Sequence, residues 1–187
     1  MRSSVRFFKP PVLLYKPAID ELCVSAVNGY EVPYKEEAFG FLFGRLSSEE
    51  RLVVLRSVAY GGGTRTRTGV DFTPGQWAHA IRRRRELAAT LRLSFAGCFH
   101  SHVGERYKRS WGLSPDDRDR ILDDEDVAIE LLVSVCEGRK GVLSPLSKSI
   151  SWAIPNTPYQ GIIRVYAKHY RSVVPVPSEF VTHPAVF

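Results

Sequence analysis

Two histidines, His100 and His102, directly follow an apolar stretch, residues 93–99, that predicts a strand. Because side chains at positions i and i+2 of a strand lie on the same face, the two imidazoles should project together, with Ser101 opposite. Asp117, at the start of the next predicted helix, is the best candidate for a third ligand. Two histidines and one carboxylate leave a fourth position for water, which is typical of catalytic rather than structural zinc sites.

The same residues also have a plainer interpretation. An H-x-H pair alone is weak evidence for a metal, and S-P-D-D at residues 114–117 is typical of a helix start with Ser114 as N-cap. Cys98 shares the His100 face and could be a ligand, although a small core residue is its commoner role. The H-E-x-x-H motif and the nucleobase-deaminase pattern H-x-E with P-C-x-x-C are both absent from the sequence.

Three segments occur in an order that resembles the JAMM motif of the MPN metalloprotease family. They are Glu36-Glu37 followed by A-F-G-F-L-F-G, then H-S-H at residues 100–102, then S-P-D-D at residues 114–117. The resemblance covers residues 17–170. It implies a single MPN domain over residues 1–187 with an α/β, cytidine-deaminase-like fold, in which helices flank a mixed, mostly antiparallel sheet.

The resemblance also implies a role for each motif residue. His100, His102 and Asp117 would bind zinc, Glu37 would be the general base, and Ser114 would hydrogen-bond the oxyanion of a tetrahedral intermediate. The chain departs from the family pattern in having Val103 after H-S-H and a longer segment, residues 103–113, before Ser114. Because the longer segment affects the register of the following helix, other aspartates remain alternatives for the third ligand, namely Asp116 and Asp119.

The activity implied by the resemblance is zinc-dependent hydrolysis of the peptide or isopeptide bond after the C-terminal tail of a ubiquitin-like protein. The chain looks like stand-alone prokaryotic deubiquitinase-like members, including those of bacterial antiphage conjugation. Activating and conjugating enzymes of the same pathway would be further partners. The glycine-rich loop at residues 61–69 is a candidate to order over the substrate tail. Four arginines are expected to contact acidic residues of the substrate, namely Arg65, Arg67, Arg106 and Arg109.

Two other functions compete with this interpretation. One is an MPN-type scaffold without catalytic activity, although such proteins usually lack at least one of the motif residues that are present here. The other is nucleic-acid binding, which the net charge of +6 favours, although no DNA- or RNA-binding motif accompanies it.

The sequence predicts helices and strands that alternate along the chain and that would position the residues of the JAMM-like pattern. Helices are predicted at residues 17–28, 73–91 and 114–122, from apolar spacing and N-terminal capping residues. Strands are predicted at residues 12–15, 38–46, 51–59, 93–99, 127–135, 149–154 and 162–170. An N-terminal arm, about residues 1–11, and an irregular proline-containing tail, about residues 173–187, are expected to complete the domain.

Composition is that of an ordinary globular domain. The chain has 187 residues, of which 44% are hydrophobic and 25% charged. We expect no membrane partner, because no apolar run approaches the ~20 residues that span a bilayer. The three cysteines, Cys23, Cys98 and Cys136, form no C-x-x-C pair, which favours a reducing, cytoplasmic location.

Overall fold

The fold contains eleven strands and three helices among the residues that the computed structural model describes, which are 8–33, 35–67, 69–103, 112–138 and 148–182. The helices are α1 (Lys16–Glu31), α2 (Pro74–Leu91) and α3 (Pro115–Asp123). The strands are β1 (Lys9–Tyr15), β2 (Phe39–Leu46), β3 (Arg51–Ala59), β4 (Thr64–Arg65), β5 (Val70–Asp71), β6 (Ser94–Val103), β7 (Ile129–Glu137), β8 (Ser149–Ala153), β9 (Tyr159–His169), β10 (Ser172–Val176) and β11 (Ser178–Val181).

Nine of these strands form one strongly curved sheet. Eight of them lie in the order β10-β9-β7-β6-β2-β3-β1-β11. The ninth, β8, pairs with residues 160–164 of β9, whereas β10 pairs with residues 165–169 of the same strand. Strand β11 lies close to β8, and β1 lies close to β10, so the sheet curls into a nearly closed barrel. Strands β4 and β5 form a separate two-stranded hairpin.

The expected α/β fold, with helices flanking a mostly antiparallel MPN-type sheet, is wrong. Of the described residues, 46% lie in strands and 28% in helices, and the sheet is barrel-like rather than layered between helices. Parallel pairs, β1 with β3, β1 with β11 and β6 with β7, are interspersed among the antiparallel ones. Sequence periodicity locates strands, but strand order and sheet closure depend on pairings between residues far apart in the chain.

The ends of the described chain are more regular than expected. Residues 9–15, which overlap the predicted arm, form β1, and this strand pairs with β3 on one side and β11 on the other. The segment predicted as an irregular tail forms β10 and β11. Both are edge strands, where the missing N–H of a proline such as Pro175 is tolerated.

Two apolar cores lie on opposite faces of the sheet. The first is built around α1, whose buried residues Ile19, Leu22 and Ala26 follow the predicted helical spacing and pack with residues from seven strands. The second contains Phe39 and Phe41 of β2 and is covered by residues of α2 and α3. The site described below lies on this second face.

A bulge in β6 decides which of its side chains reach the second face. Phe43 pairs with Phe95 and Leu42 with Gly97, so Ala96 has no partner in β2 and the alternation of side chains shifts by one position. Cys98 therefore packs in the second core together with Phe41, its cross-strand partner. The next two side chains of β6 on this face, after Cys98, are those of His100 and His102.

Replacement of Gly97 by alanine should destabilise the protein by about 3 kcal/mol or more. A Cβ at this position would lie 1.8 Å from the carbonyl oxygen of Ile129, and a backbone atom cannot rotate away as a side chain can. Chemical denaturation measures the loss. Gly75→Ala is the matched control, because Gly75 lies in α2 with open space where a Cβ would project, and it should stabilise by up to about 1 kcal/mol. Equal stabilities of the two variants would contradict this account of the bulge.

Candidate metal centre

Three side chains from two elements converge at the carboxyl end of β6. The Nε2 atoms of His100 and His102 are 3.2 Å apart. Oδ2 of Asp117 lies 3.5 Å from Nε2 of His100 and 3.8 Å from Nε2 of His102. One potential ligand atom from each residue lies within 4.8 Å of the other two, so this group can hold a metal ion.

Asp117 reaches the histidines because of the way α3 begins. Ser114 is the N-cap, Pro115 follows it, and the Ser114 Oγ accepts a hydrogen bond from the Asp117 N–H at 3.1 Å. The backbone N–H and the hydroxyl of Ser114 both donate to Asp117 Oδ2, at 2.9 and 2.7 Å. The helix start predicted from S-P-D-D is therefore confirmed, and the same cap aims the carboxylate at β6. The alternatives Asp116 and Asp119 are exposed and lie outside the group.

Glu130 is a functional candidate that the motif analysis missed. It lies on β7, where it is 1% exposed, and its Oε1 accepts a hydrogen bond from His100 Nδ1 at 2.7 Å. Because a carboxylate only accepts, Nδ1 carries the proton and Nε2 faces the other members of the group. The signal was visible in the sequence, since Glu130 is the only charged residue in the otherwise buried run V-A-I-E-L-L-V-S-V.

Arg120 is the second residue that sequence reasoning missed. Its Nη2 donates to Glu130 Oε1 at 3.1 Å and lies 3.5 Å from Asp117 Oδ1. Its guanidinium also stands over the Phe39 ring, 5.4 Å from the centroid. An arginine in a short, charged helix carries no sequence signal for such a role, because its pattern is that of an ordinary exposed position.

The charges within this group shift each other's protonation. Burial by itself would lower the pKa of His100, but the hydrogen bonds to Asp117 and Glu130 outweigh it and raise that pKa to about 9. Burial would raise the pKa of Asp117, but the hydrogen bonds with His100 and His102 hold it well below its usual range. A metal ion at this position would replace the proton of His100, so its binding should weaken as the pH falls.

Glu37 is held close to this group by the segment that leads into β2. The backbone N–H of Glu37 donates to Thr66 in the β4–β5 hairpin. The next residue, Ala38, is locked to β6 by two bonds, from its N–H to Ser101 Oγ at 2.8 Å and from the Ser101 N–H to its carbonyl at 2.9 Å. Ser101 thus points away from the histidines, as predicted, and anchors the strand that carries Glu37.

Glu37 has unusual electrostatics for a carboxylic acid. It is 4% exposed, and burial raises its pKa from 4.5 to about 7, with His100 opposing this shift and Asp117 adding to it. Such a group can exchange a proton near neutral pH. Cys98 belongs to the core beneath the site, where burial and then Glu130 raise the pKa of its thiol well above the usual value. It is outside the ligand group.

The four arginines predicted to bind substrate have different positions. Arg65 is half-buried and its guanidinium donates to the Tyr60 carbonyl, so it supports the hairpin from within. Arg67 is exposed near the tip of the same hairpin. Arg106 and Arg109 lie outside the described residues. The predicted loop at residues 61–69 contains β4, which was not expected.

Comparison with known proteins establishes the fold but not the activity. No family model and no curated protein matches the sequence. The solution structure of protein DSY2949 from Desulfitobacterium hafniense is similar, with a TM-score of 0.56, 18% identity, and coverage of 92% of this chain and 94% of that chain. At this identity the similarity shows a shared fold alone. Among the described residues, no helix combines the length and apolar character needed to cross a membrane.

Replacement of Asp117 by alanine should reduce the affinity for a metal ion, measured with Zn²⁺, by more than about 100-fold, because it removes a candidate ligand oxygen rather than an outer-shell partner. Asp116→Ala is the matched control and should change the affinity little, since this exposed neighbour lies outside the ligand group. Calorimetric titration with Zn²⁺ measures both. A larger loss in Asp116→Ala would show that α3 binds metal in a different register.

Glu37→Gln should stabilise the metal-free protein at pH 8. The folded protein holds a proton on Glu37 more tightly than the unfolded chain, so stability falls as pH rises from 4.5 to about 7. Above that range, burial of the ionised carboxylate lowers the free energy of unfolding by about 3 kcal/mol. Glutamine is uncharged at every pH, so the variant should not lose this stability. At pH 4 the two proteins should be equally stable. Thermal unfolding with a chelator at both pH values measures the difference, and a pH-independent difference would contradict this electrostatic origin.

Proposed function

We propose that this protein is a zinc-dependent hydrolase that cleaves the peptide or isopeptide bond after the C-terminal tail of a ubiquitin-like protein. The observation that carries the proposal is the convergence of His100, His102 and Asp117 next to a buried carboxyl, Glu37, whose pKa is raised to about 7. These residues come from three separate segments of the chain. They also make up four of the five residues of the JAMM-like pattern.

The donor set fits zinc. Two imidazole nitrogens and one carboxylate oxygen are the three protein ligands of many catalytic zinc sites, and the hydrogen bond from His100 Nδ1 to Glu130 is the usual outer-shell support of a zinc-bound histidine. When bound, zinc supplies a Lewis acid that polarises a carbonyl group and makes water more acidic. The remaining chemistry falls to the residues of the chain.

Glu37 is the proton carrier in this proposal. Its carboxylate takes a proton from the attacking water as the water oxygen bonds to the carbonyl carbon. It then donates that proton to the amine nitrogen as the carbon–nitrogen bond breaks. A pKa near neutrality suits both steps, because the same group must accept a proton and later release it. No covalent enzyme intermediate is required, and the three cysteines are buried.

Ser114 would stabilise the negative charge that develops on the carbonyl oxygen. Its hydroxyl donates to Asp117 Oδ2, and its backbone N–H donates to the same oxygen. The N–H can keep Asp117 oriented while the hydroxyl, which is free to rotate, turns to a substrate. Loss of one such donor in comparable sites costs about 3 kcal/mol of transition-state stabilisation.

The substrate class rests on the resemblance of the residue pattern and is compatible with the surroundings of Glu37. The β4–β5 hairpin, whose Thr66 binds the Glu37 backbone, borders the site and carries the exposed Arg67. An extended tail could lie along this hairpin, with Arg67 near acidic residues of the bound protein. A cytoplasmic bacterial conjugation pathway with its own activating and conjugating enzymes is the setting that this proposal implies.

The test is cleavage of a panel of ubiquitin-like fusion proteins by the zinc-loaded enzyme. Glu37→Gln should retain zinc and lose about 100- to 10,000-fold in rate, the usual contribution of a general base. Glu36→Gln is the matched control and should cleave normally, because the backbone of Glu36 bonds to Gly29 of α1 and Glu36 is not a member of the ligand group. A chelator should abolish cleavage and added zinc should restore it. Zinc binding without cleavage of any fusion would overturn the proposal and favour a scaffold, whereas normal turnover by Glu37→Gln would remove Glu37 as the base.

A further inference from the structure

The buried Glu130 and the half-buried Arg120 together connect the two elements that carry the metal-ligating side chains. Glu130 Oε1 accepts hydrogen bonds from His100 Nδ1 at 2.7 Å and from Arg120 Nη2 at 3.1 Å. Nη2 of Arg120 also lies 3.5 Å from Oδ1 of Asp117. A continuous chain of charged contacts therefore runs from a ligand on β6, through β7, to a ligand on α3.

Packing alone does not account for Glu130. All but the last residue of β7 are buried, and the neighbours of Glu130 along the strand are aliphatic. A carboxylate that is 1% exposed is costly to bury even when paired, and a well-packed apolar residue at such a position is often as stable or more so. The charge is explained by what it contacts, which is one nitrogen of a metal-ligating histidine.

We infer that Glu130 and Arg120 are positioning residues that set the metal affinity of the site. The inference rests on the proposed metal-dependent function. Glu130 keeps the proton on Nδ1 of His100, so the lone pair of Nε2 faces the metal position. Arg120 holds Asp117 by Oδ1, which leaves Oδ2 directed at the two histidines. Loss of such an outer-shell partner typically reduces metal affinity 10- to 100-fold.

The fold offers a matched control for Arg120. Arg84 on α2, which is more deeply buried than Arg120, also bridges two carboxylates, donating to Asp124 at 2.5 Å and to Asp126 at 2.7 Å. These partners follow α3 rather than belonging to the ligand group. Lysine at either position keeps the charge but loses the planar fork of guanidinium donors. Arg120→Lys and Arg84→Lys thus make the same chemical change at two arginines that each bridge two carboxylates, and only Arg120 contacts a metal-ligating residue.

The experiment measures Zn²⁺ affinity by competition with a chromophoric chelator for the wild type, Glu130→Gln, Arg120→Lys and Arg84→Lys. The visible absorption of the Co²⁺ forms reports ligand geometry, and thermal unfolding with a chelator reports stability without metal. We expect Zn²⁺ to bind about 10- to 100-fold more weakly to Glu130→Gln and about 10-fold more weakly to Arg120→Lys, with altered Co²⁺ spectra. Arg84→Lys should bind Zn²⁺ like the wild type even where its unfolding temperature falls.

The outcomes separate this inference from the proposed function. Wild-type affinity and an unchanged Co²⁺ spectrum in both Glu130→Gln and Arg120→Lys would overturn the positioning role and leave the hydrolase proposal standing. Equal weakening in Arg84→Lys and Arg120→Lys would overturn it too, because general destabilisation would then explain the loss. If Glu130→Gln does not fold, the Zn²⁺ affinities of Arg120→Lys and Arg84→Lys still test the positioning role. Zinc binding that responds as expected, without cleavage of any ubiquitin-like fusion, would support the inference and overturn the substrate proposal.

Discussion

The hydrogen bond between His100 Nδ1 and the buried carboxylate of Glu130 is the contact on which the rest of the site depends. A carboxylate in the interior of a sheet must be paired, because an isolated buried charge is strongly unfavourable. His100 is one partner and Arg120 is the other. Since Arg120 lies on α3, satisfying Glu130 also places the helix whose first turn carries Asp117. The candidate metal centre is thus assembled around a charged residue on β7, a strand that contributes none of the three potential ligands.

Strand β6 brings the other parts of the site together through its two faces. On one face the histidines meet α3, and on the other Ser101 binds the backbone at Ala38 and so fixes the segment that carries Glu37. The bulge at Ala96 decides which residues lie on which face. A single extra residue in β6 therefore determines that both histidines face the helix rather than the core around α1.

Burial of Glu37 links stability to the proposed chemistry. The pKa of about 7 arises chiefly from desolvation, so the ionised form that would accept a proton is also the form that the fold accommodates least well. The surrounding network does not neutralise it, because the charges of Arg120 and His100 are shared with Glu130 and Asp117. Active sites commonly carry such locally unfavourable groups, and the rest of the fold must supply the stability that they remove.

The sequence by itself determined the local features of this protein. Helix α1 follows from its apolar spacing, α3 from the Ser114 cap, and the shared face of His100 and His102 from strand alternation, because each depends on residues within a few positions of one another. Asp117 was correctly placed beside them by the residue pattern. Only the tertiary structure decided the barrel-like curvature of the sheet, the regular strands near both ends, and the contacts of Glu130 and Arg120 with His100 and Asp117. These depend on pairings between distant segments, which periodicity and capping signals do not encode.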